Sequence, residues 1–323
     1  MSETKKDDLS QGAIFGPVPS RRLGMSLGVD VVPMKVCTFD CIYCELGRTT
    51  HKTLERREYV PTASVQRAME EYFREKHEGR LDYVTFSGSG EPTLHSGIGV
   101  LIRGVKKLTD TPVAVLTNGS LLFDRQVRTD LLPADLVVPS LDAATQDIFR
   151  RVDQPAPGLE VSDVIWGLHQ FSREFQGEFW LEVLLARGVN DQPDHVRKLA
   201  DAARWINPTK IQLTTVVRPP GHGTAAPVEA ARLHEIAKLF EGNVEVVPNA
   251  ASGDHPAYYE DKRERIEAML RIRPMTVEDI ARTTGMHRNE VVKYLDRLRS
   301  AHTVQVETFA DQTYYTIDRD PKH

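Results

Sequence analysis

Cysteine is nearly absent from this chain: three in 323 residues, at positions 37, 41 and 44. An odd number packed into one short run, with no other thiol to pair with, excludes a disulfide framework. A fourth cysteine is also missing from the run, and no second ligand pair of the kind that completes a structural zinc site follows it. Long hydrophobic stretches are absent too. No run approaches the roughly 20 apolar residues of a membrane-spanning helix. The opening Met-Ser-Glu-Thr-Lys-Lys-Asp-Asp has no apolar core for a signal peptide, so a cytoplasmic location is expected. Excess positive charge is lacking as well: 41 Lys and Arg stand against 46 Asp and Glu, a net charge of −5. No global basic field therefore recruits nucleic acid. The histidines form no cluster that suggests acid–base chemistry.

What is present is the run Cys37-Thr-Phe-Asp-Cys41-Ile-Tyr-Cys44. Thiolates this close read as a metal nest. Iron–sulfur clusters are usually held by four cysteines, so a cubane held by three leaves one iron open to a ligand that is not protein. The competing metal is zinc, which needs a fourth ligand from His51 or Asp40. Simple packing of three buried thiols is the remaining alternative.

Between about residues 26 and 247 short apolar runs alternate with amphipathic stretches, the pattern of repeated βα units. Strands are expected at Leu27–Val32, Asp82–Phe86, Pro112–Thr117, Leu136–Leu141, Phe179–Leu185 and Lys210–Val217. Helices are expected from near Ser64, with Val65, Met69, Tyr72 and Phe73 at helical spacing, and from near Ser162, with Val164, Ile165, Leu168 and Phe171. Six units suit an open, partial barrel, with functional groups at the C-terminal strand ends. The cysteine run follows the first strand.

Two later strands carry polar residues where a core wants none. Alternation groups Glu182 with Trp180 and Leu184, and Gln212 and Thr214 with Lys210 and Arg218. Outer faces are covered by helices, so these polar faces point into the barrel, where a bound cofactor and substrate supply their partners. For Glu182 the alternative is an ion pair with a neighbouring helix. Arg218 opens Arg218-Pro-Pro-Gly-His-Gly223 and suits clamping of a substrate carboxylate or phosphate, whereas His222 reads as a mobile loop residue. Ser87-Gly-Ser-Gly-Glu-Pro-Thr93 lacks the third glycine of a dinucleotide fingerprint and reads alone as a glycine turn with a solvated glutamate. Asn118-Gly119 reads as a turn, and Asp142 as a helix N-cap or a ligand.

The C-x3-C-x2-C run with Tyr43 resembles the cluster loop of the radical SAM (S-adenosylmethionine) superfamily. The resemblance implies that Cys37, Cys41 and Cys44 hold a [4Fe-4S] cluster whose open iron takes the amino and carboxylate groups of SAM. Reductive cleavage then yields a 5′-deoxyadenosyl radical that abstracts hydrogen from a substrate. It further implies that Tyr43 lies near the adenine and that Ser89, Gly90 and Glu91 receive the SAM amino group, Ser89 replacing a family glycine. Glu182, with Arg187 a few residues on, falls at a SAM-contacting strand position. Ser140 and Asp142 fall at a strand end that contacts the SAM ribose in the family, and Asn118, at the end of the third strand, is a further cofactor-binding candidate. Residues 14–44, Thr85–Thr93 and the Arg-Pro-Pro resemble a prokaryotic group related to wyosine-type tRNA-modifying enzymes. Those that form the imidazoguanosine use a second cluster, for which this chain has no cysteines left.

The end of the chain reads as a separate module. An amphipathic helix with Ile266, Met269 and Leu270 precedes a helix capped by Thr276, a turn at Gly285, and a second helix with Val291, Val292, Leu295 and Leu298 facing a core. A ribbon at Val304–Phe309 and Thr313–Ile317 completes a winged-helix pattern. Arg288, Lys293, Arg297 and Arg299 make its second helix the more basic. The expected organisation is a loose N-terminus (1–13), a partial (βα)6 barrel of α/β class (14–250), a linker (251–257) and a winged helix (258–323). The expected partner is a low-potential electron donor, flavodoxin or ferredoxin. RNA or nucleoside modification, modification of a peptide or protein (including glycyl-radical activation), and a non-enzymatic cluster-bearing DNA-binding regulator all stay open.

Overall fold

The computed structural model describes residues 13–20, 22–75, 81–247, 262–286, 288–300 and 303–317. The expectations for residues 1–12 and for the linker at 251–257 fall outside these. The first strands, β1 (Ile14–Ser20) and β2 (Gly24–Val29), form an antiparallel hairpin. The cysteine loop follows and contains a two-residue parallel pair, β3 (Val36–Cys37) and β4 (His51–Lys52). Helices and strands then alternate: α1 (Thr62–Arg74), β5 (Tyr83–Phe86), α2 (Ile98–Leu108), β6 (Val113–Thr117), α3 (Arg125–Leu131), β7 (Leu136–Pro139), α4 (Gln146–Val152) and α5 (Val161–Glu174). The series continues through β8 (Glu178–Leu185), α6 (Pro193–Ile206), β9 (Lys210–Thr215), α7 (Ala230–Ala237) and β10 (Val244–Val246).

These strands form one eight-stranded sheet in the order β1-β2-β5-β6-β7-β8-β9-β10, parallel except for β1. The sheet does not close, since β1 and β10 are its edges. All six expected strands are present. The first of them, β2, stops at Val29, short of the expected Val32, because the chain turns at Asp30. The Asp30 carboxylate accepts from the backbone N–H groups of Ser89 (2.9 Å) and Val32 (3.4 Å). Pro17 and Pro19 hid β1, since proline cannot donate to a ladder. An edge strand tolerates it.

One face of the sheet carries Val84, Phe86, Val115, Leu181, Val183 and Leu213, which pack with the helices into the main core. Phe171 of α5 is fully buried there, stacked on Phe175 at 4.8 Å and edge-on to Phe179 at 5.7 Å. Its burial contributes about 2–3 kcal/mol. The opposite face carries a small apolar cluster at its centre, with Ala114, Leu116, Leu136 and Val138, and polar groups on the strands to either side. Ser26 and Thr85 share a hydrogen bond, Lys210 lies 4.0 Å over the Trp180 ring, and Gln212 donates to Glu245 at 3.1 Å.

The last elements are α8 (Lys262–Ile272), α9 (Val277–Thr284), α10 (Arg288–Ser300), β11 (Val304–Phe309) and β12 (Gln312–Ile317). They enclose a core of their own that includes Ile266, Met269, Ile280, Val291, Leu295 and Leu298. Thr276 and Asp279 form a reciprocal capping box at the start of α9, and Gly285 ends it in a left-handed conformation. Positive φ at Ala310 (46°) and Asp311 (62°) makes the tight turn of the β11–β12 ribbon. Val292 does not face this core. It is 39% exposed, because a helix turns about 100° from Val291 to the next residue. The ribbon docks on the barrel: Tyr314 Oη donates to the Val217 carbonyl at 2.7 Å. Among the described residues no helix is long and apolar enough to cross a membrane.

Candidate cluster and cofactor site

The three cysteines are free and half-buried on the loop after β2. Cys37 is fixed by the β3–β4 pairing, and Cys44 by its N–H bond to the Cys41 carbonyl at 3.1 Å. Lys35, buried and left-handed (φ 60°), donates from Nζ to Cys44 Sγ at 3.1 Å. Asn118 Nδ2 lies 3.7 Å from Cys37 Sγ. Burial, then the Glu91 charge, pushes the free Cys37 thiol up to about 12. Burial, then Asp153, raises Cys41, whose Sγ lies 3.7 Å from Asp153 Oδ1. Buried thiols lose their protons to metal rather than to solvent, and Lys35 and Asn118 stand ready to donate to the resulting sulfurs.

A single-ion nest is not formed. Among the described residues no three His, Cys, Asp or Glu side chains converge as one ion requires. Neither candidate fourth zinc ligand turns to the cysteines. Asp40 accepts from Thr49 N at 2.7 Å and pairs with His222 Nε2 at 2.9 Å, and His51 is exposed on β4. His222, expected as a loose loop residue, is thus tied to the cysteine loop.

Ser89, Gly90 and Glu91 pack directly on that loop. Lys35 N donates to the Ser89 carbonyl at 2.8 Å, and Glu91 N to the Val36 carbonyl at 3.1 Å. A Cβ on Gly90 would sit 1.9 Å from the Val36 oxygen, so only glycine permits this approach. The Glu91 side chain is buried and fully engaged. Its Oε1 accepts from Thr93 N (3.0 Å), Thr93 Oγ1 (2.5 Å) and Thr117 Oγ1 (2.6 Å), and its Oε2 from Asn118 N (2.8 Å). Burial pushes its carboxyl upward, and these donors pull against that. The solvated turn residue that the segment suggested alone is instead a buried clasp between two strand ends.

The neighbouring Asp30 explains Gly88, where a Cβ would meet the Asp30 carboxyl at 2.5 Å. Burial pushes the Asp30 carboxyl up to about 6. A carboxyl that holds its proton more tightly folded than unfolded contributes stability that is complete below the unfolded value of about 3.9. That stability is lost as pH rises through the folded value near 6. Asp30→Asn is therefore expected to flatten the fall in unfolding free energy between about pH 4 and 6. Urea midpoints measured across that range check it, and an unchanged slope would contradict it.

Asn118, Ser140 and Asp142 meet around a cavity of about 10 Å³ that Phe39, Phe149 and Asp153 also line. Asn118 Oδ1 accepts from Ser120 N at 3.0 Å, which makes the expected turn, and its Nδ2 donates to Thr38 Oγ1 at 2.7 Å. Asp142 is no N-cap: α4 starts at Gln146 after Thr145. It accepts instead from Leu184 N at 2.8 Å and from the Tyr43 hydroxyl, which ties the cysteine loop to β8. Burial pushes Asp142 up to about 7, and burial, then the Asp142 charge, raises its neighbour Asp153 as well.

Glu182 faces inward as expected, paired with Arg22 of the β1–β2 turn rather than with a helix. Gln212 Oε1 and Thr214 Oγ1 are buried without a partner on the same face. Arg187 is exposed beyond the end of β8 and is not brought to this arrangement. Arg218 is not an open clamp. It is 6% exposed and lies between Glu45 at 3.3 Å, next to Cys44, and Asp279 of the C-terminal module at 4.0 Å. It borders a cleft of about 620 Å³ with Arg282, Arg288, Glu278, Asp311 and Tyr314. A second cavity of about 320 Å³ is lined by Arg22 of the β1–β2 turn, Ser26 and Thr85 of the inner face, Met269 and Ile272 of α8, and Arg273 just after it. Sequence reasoning missed Lys35, Arg22, Asp30 and Asp153. Only Lys35, two residues before Cys37, had a signal in its position.

Comparison with known proteins bears on the same residues. Residues 31–201 match the radical SAM superfamily. A protein of Brachyspira hyodysenteriae named GTPase Obg is 35% identical over 316 residues, 97% of this chain, which spans 46% of that relative's length. A UPF0026 protein of Methanocaldococcus jannaschii is 32% identical over 270 residues, covering 82% of this chain and 84% of the relative. Streptococcus suis SuiB bound to S-adenosylmethionine superposes with a TM-score of 0.51 at 14% identity, over 68% of this chain and 50% of that one. A radical SAM methyltransferase from Sphaerobacter thermophilus gives 0.50 at 17%, over 68% and 65%. At these identities the structural likeness speaks to the fold alone.

Proposed function

The chain belongs to the radical SAM superfamily, and on that premise we propose that Cys37, Cys41 and Cys44 hold its single [4Fe-4S] cluster and leave one iron for SAM. The cofactors of the family are this cluster and SAM. Together they supply, on one-electron reduction, the 5′-deoxyadenosyl radical that takes hydrogen from a substrate. The observation that carries the reading is the lacing of the Ser89–Glu91 segment onto the cysteine loop across the Gly90–Val36 contact. It brings backbone carbonyls to the edge of the thiol nest, where an ammonium group seeks acceptors. Ser89 and Gly90 receive the amino group through their backbone, and Glu91 positions them. Tyr43 borders the adenine, while Asn118, Ser140 and Asp142 serve the ribose side. Glu182, held by Arg22, closes the site from β8. Gln212 and Thr214, with buried polar atoms left unpartnered, await the substrate.

The C-terminal module is read as a winged helix over residues 258–323, joined to a barrel domain at 14–250. The favoured substrate is RNA or a nucleoside, supported by the resemblance of residues 14–44 to wyosine-type enzymes; the imidazoguanosine reaction itself is not inherited, because no cysteines remain for a second cluster. One observation favours a peptide or protein instead, including a glycyl-radical partner. In the 620 Å³ cleft Arg218, Arg282 and Arg288 are matched by Glu278, Asp279 and Asp311, so it is not dedicated to phosphate. The regulator reading gains nothing, because Arg288 pairs with Glu278, and Arg299 with Asp296 at 3.6 Å. The protein works in the reducing cytoplasm with a low-potential flavodoxin or ferredoxin.

The test is anaerobic reconstitution with iron and sulfide, addition of SAM and dithionite, and quantification of 5′-deoxyadenosine with RNA or peptide pools present. Product that depends on the three cysteines and rises with one pool supports the reading and selects the substrate. Equal product from a protein without the cysteines overturns it.

A further inference from the structure

Radical chemistry at this site needs an electron from outside, so a docking surface for the electron donor rests on the function proposed above. The cysteine loop offers one face where exposed residues sit on the strand paired with that of Cys37. There β4 runs beside β3 with Lys52 opposite Cys37, and Thr53 N donates to the Cys37 carbonyl at 3.0 Å. His51 N donates to the Lys35 carbonyl at 3.2 Å, and the Lys35 ammonium in turn touches Cys44 Sγ. His51 and Lys52 are exposed, as are Arg48 and, next to Lys35 in the chain, Met34 at 43%. Lys52 Nζ reaches the Gln154 carbonyl at 2.9 Å, which brings the end of α4 and the exposed Arg151 to the same face.

The charge of this face opposes that of the whole. The protein carries −5, yet residues 46–54 contain Arg48, His51 and Lys52 and no acid. The acids of the loop are turned away: Asp40 is tied to Thr49 and His222, and Glu45 to Arg218. Acidic residues resume at the exposed Glu55, which marks the edge. A basic rim beside an exposed apolar side chain is the composition of a transient docking surface, where charge orients the encounter and the apolar contact excludes water. Electron transfer slows steeply with distance, which favours an approach at the strand paired directly with the one that carries Cys37.

We propose that Met34, Arg48, His51, Lys52 and Arg151 form the docking surface for an acidic, low-potential, one-electron carrier protein. One electron leaves the reduced carrier and enters the cluster; the carrier is oxidised by one electron and no proton need move. Without the local basic rim, two proteins of net negative charge would repel each other at this approach.

The experiment uses the full chain carrying its cluster, in anaerobic stopped flow, with reduced flavodoxin as the probe. Photoreduced 5-deazaflavin, a small reductant that needs no docking surface, runs in parallel. Arg48→Glu/Arg151→Glu, chosen because neither side chain supports the loop, should be reduced by flavodoxin about tenfold more slowly. Its iron content and its rate with deazaflavin should not change. Neutralisation by Arg48→Gln/Arg151→Gln should give an intermediate rate, and the wild-type rate with flavodoxin should fall as salt rises. Reversal of the exposed Arg103 on α2, outside the patch, should change nothing. A flavodoxin rate unmoved by the charge-reversed pair, or indifferent to salt in the wild type, overturns the surface. Failure of deazaflavin to reduce the wild type overturns the cluster reading beneath it instead.

Discussion

Glu91→Ala is expected to destabilise the cofactor-free protein by about 3–6 kcal/mol. The carboxylate takes hydrogen bonds from two backbone N–H groups, those of Thr93 and Asn118, and from the hydroxyls of Thr93 and Thr117. The hydroxyls can turn to other acceptors. The backbone donors cannot, and each buried donor left unpaired costs about 1–3 kcal/mol, with the vacated space adding to the loss. Glu91→Gln keeps one acceptor but sets an amide NH2 against one backbone donor, so it should lose roughly half as much. Urea unfolding of the protein without cluster or SAM measures both. The outcome decides what Glu91 does. A wild-type midpoint combined with weakened SAM binding would make its carboxylate a direct cofactor contact rather than the clasp that positions Ser89 and Gly90.

Cys41→Ala should abolish cluster assembly while leaving the fold intact. The loop around Cys41 is held by backbone bonds the substitution does not touch: Asp40 N to the Asp153 carbonyl at 3.0 Å, Ile42 N to the Val152 carbonyl at 3.0 Å, and Cys44 N to the Cys41 carbonyl at 3.1 Å. Only the sulfur beside Asp153 disappears, a change worth about 1 kcal/mol in the cofactor-free protein. With two cysteines left of three, iron and sulfide after reconstitution should fall to the level of protein without cysteines, and 5′-deoxyadenosine with them. Iron analysis and visible absorption, run beside urea unfolding, separate the two effects. Wild-type iron content in this variant would remove Cys41 from the ligands.

Much of this arrangement was legible because it follows short-range rules. The period-two alternation that set Glu182 and Gln212 on the inner face needed only seven or eight consecutive residues, and helices on the other face left no alternative orientation. The cap at Thr276 and the turn at Gly285 are local in the same way. What stayed hidden depends on meetings across the chain. Asp153 reaches Cys41 from 112 residues away, and Arg22 crosses the barrel to Glu182. No spacing in the sequence encodes such a contact. Arg218 shows the opposite failure. Its residue type suited an anion clamp, but Glu45 and Asp279 already satisfy its charge, which only the docked C-terminal module reveals. Strand β1 was obscured by prolines that an interior strand would forbid and an edge strand allows.

The central claim is that three cysteines hold a four-iron cluster with one iron open to SAM, and electron paramagnetic resonance of the reduced, reconstituted protein tests it most directly. The account predicts the signal of a reduced [4Fe-4S] cluster in the wild type, a change of that signal when SAM is added, and no signal in Cys41→Ala. A protein that binds zinc in place of iron, or a cluster whose spectrum is the same with and without SAM, would contradict it.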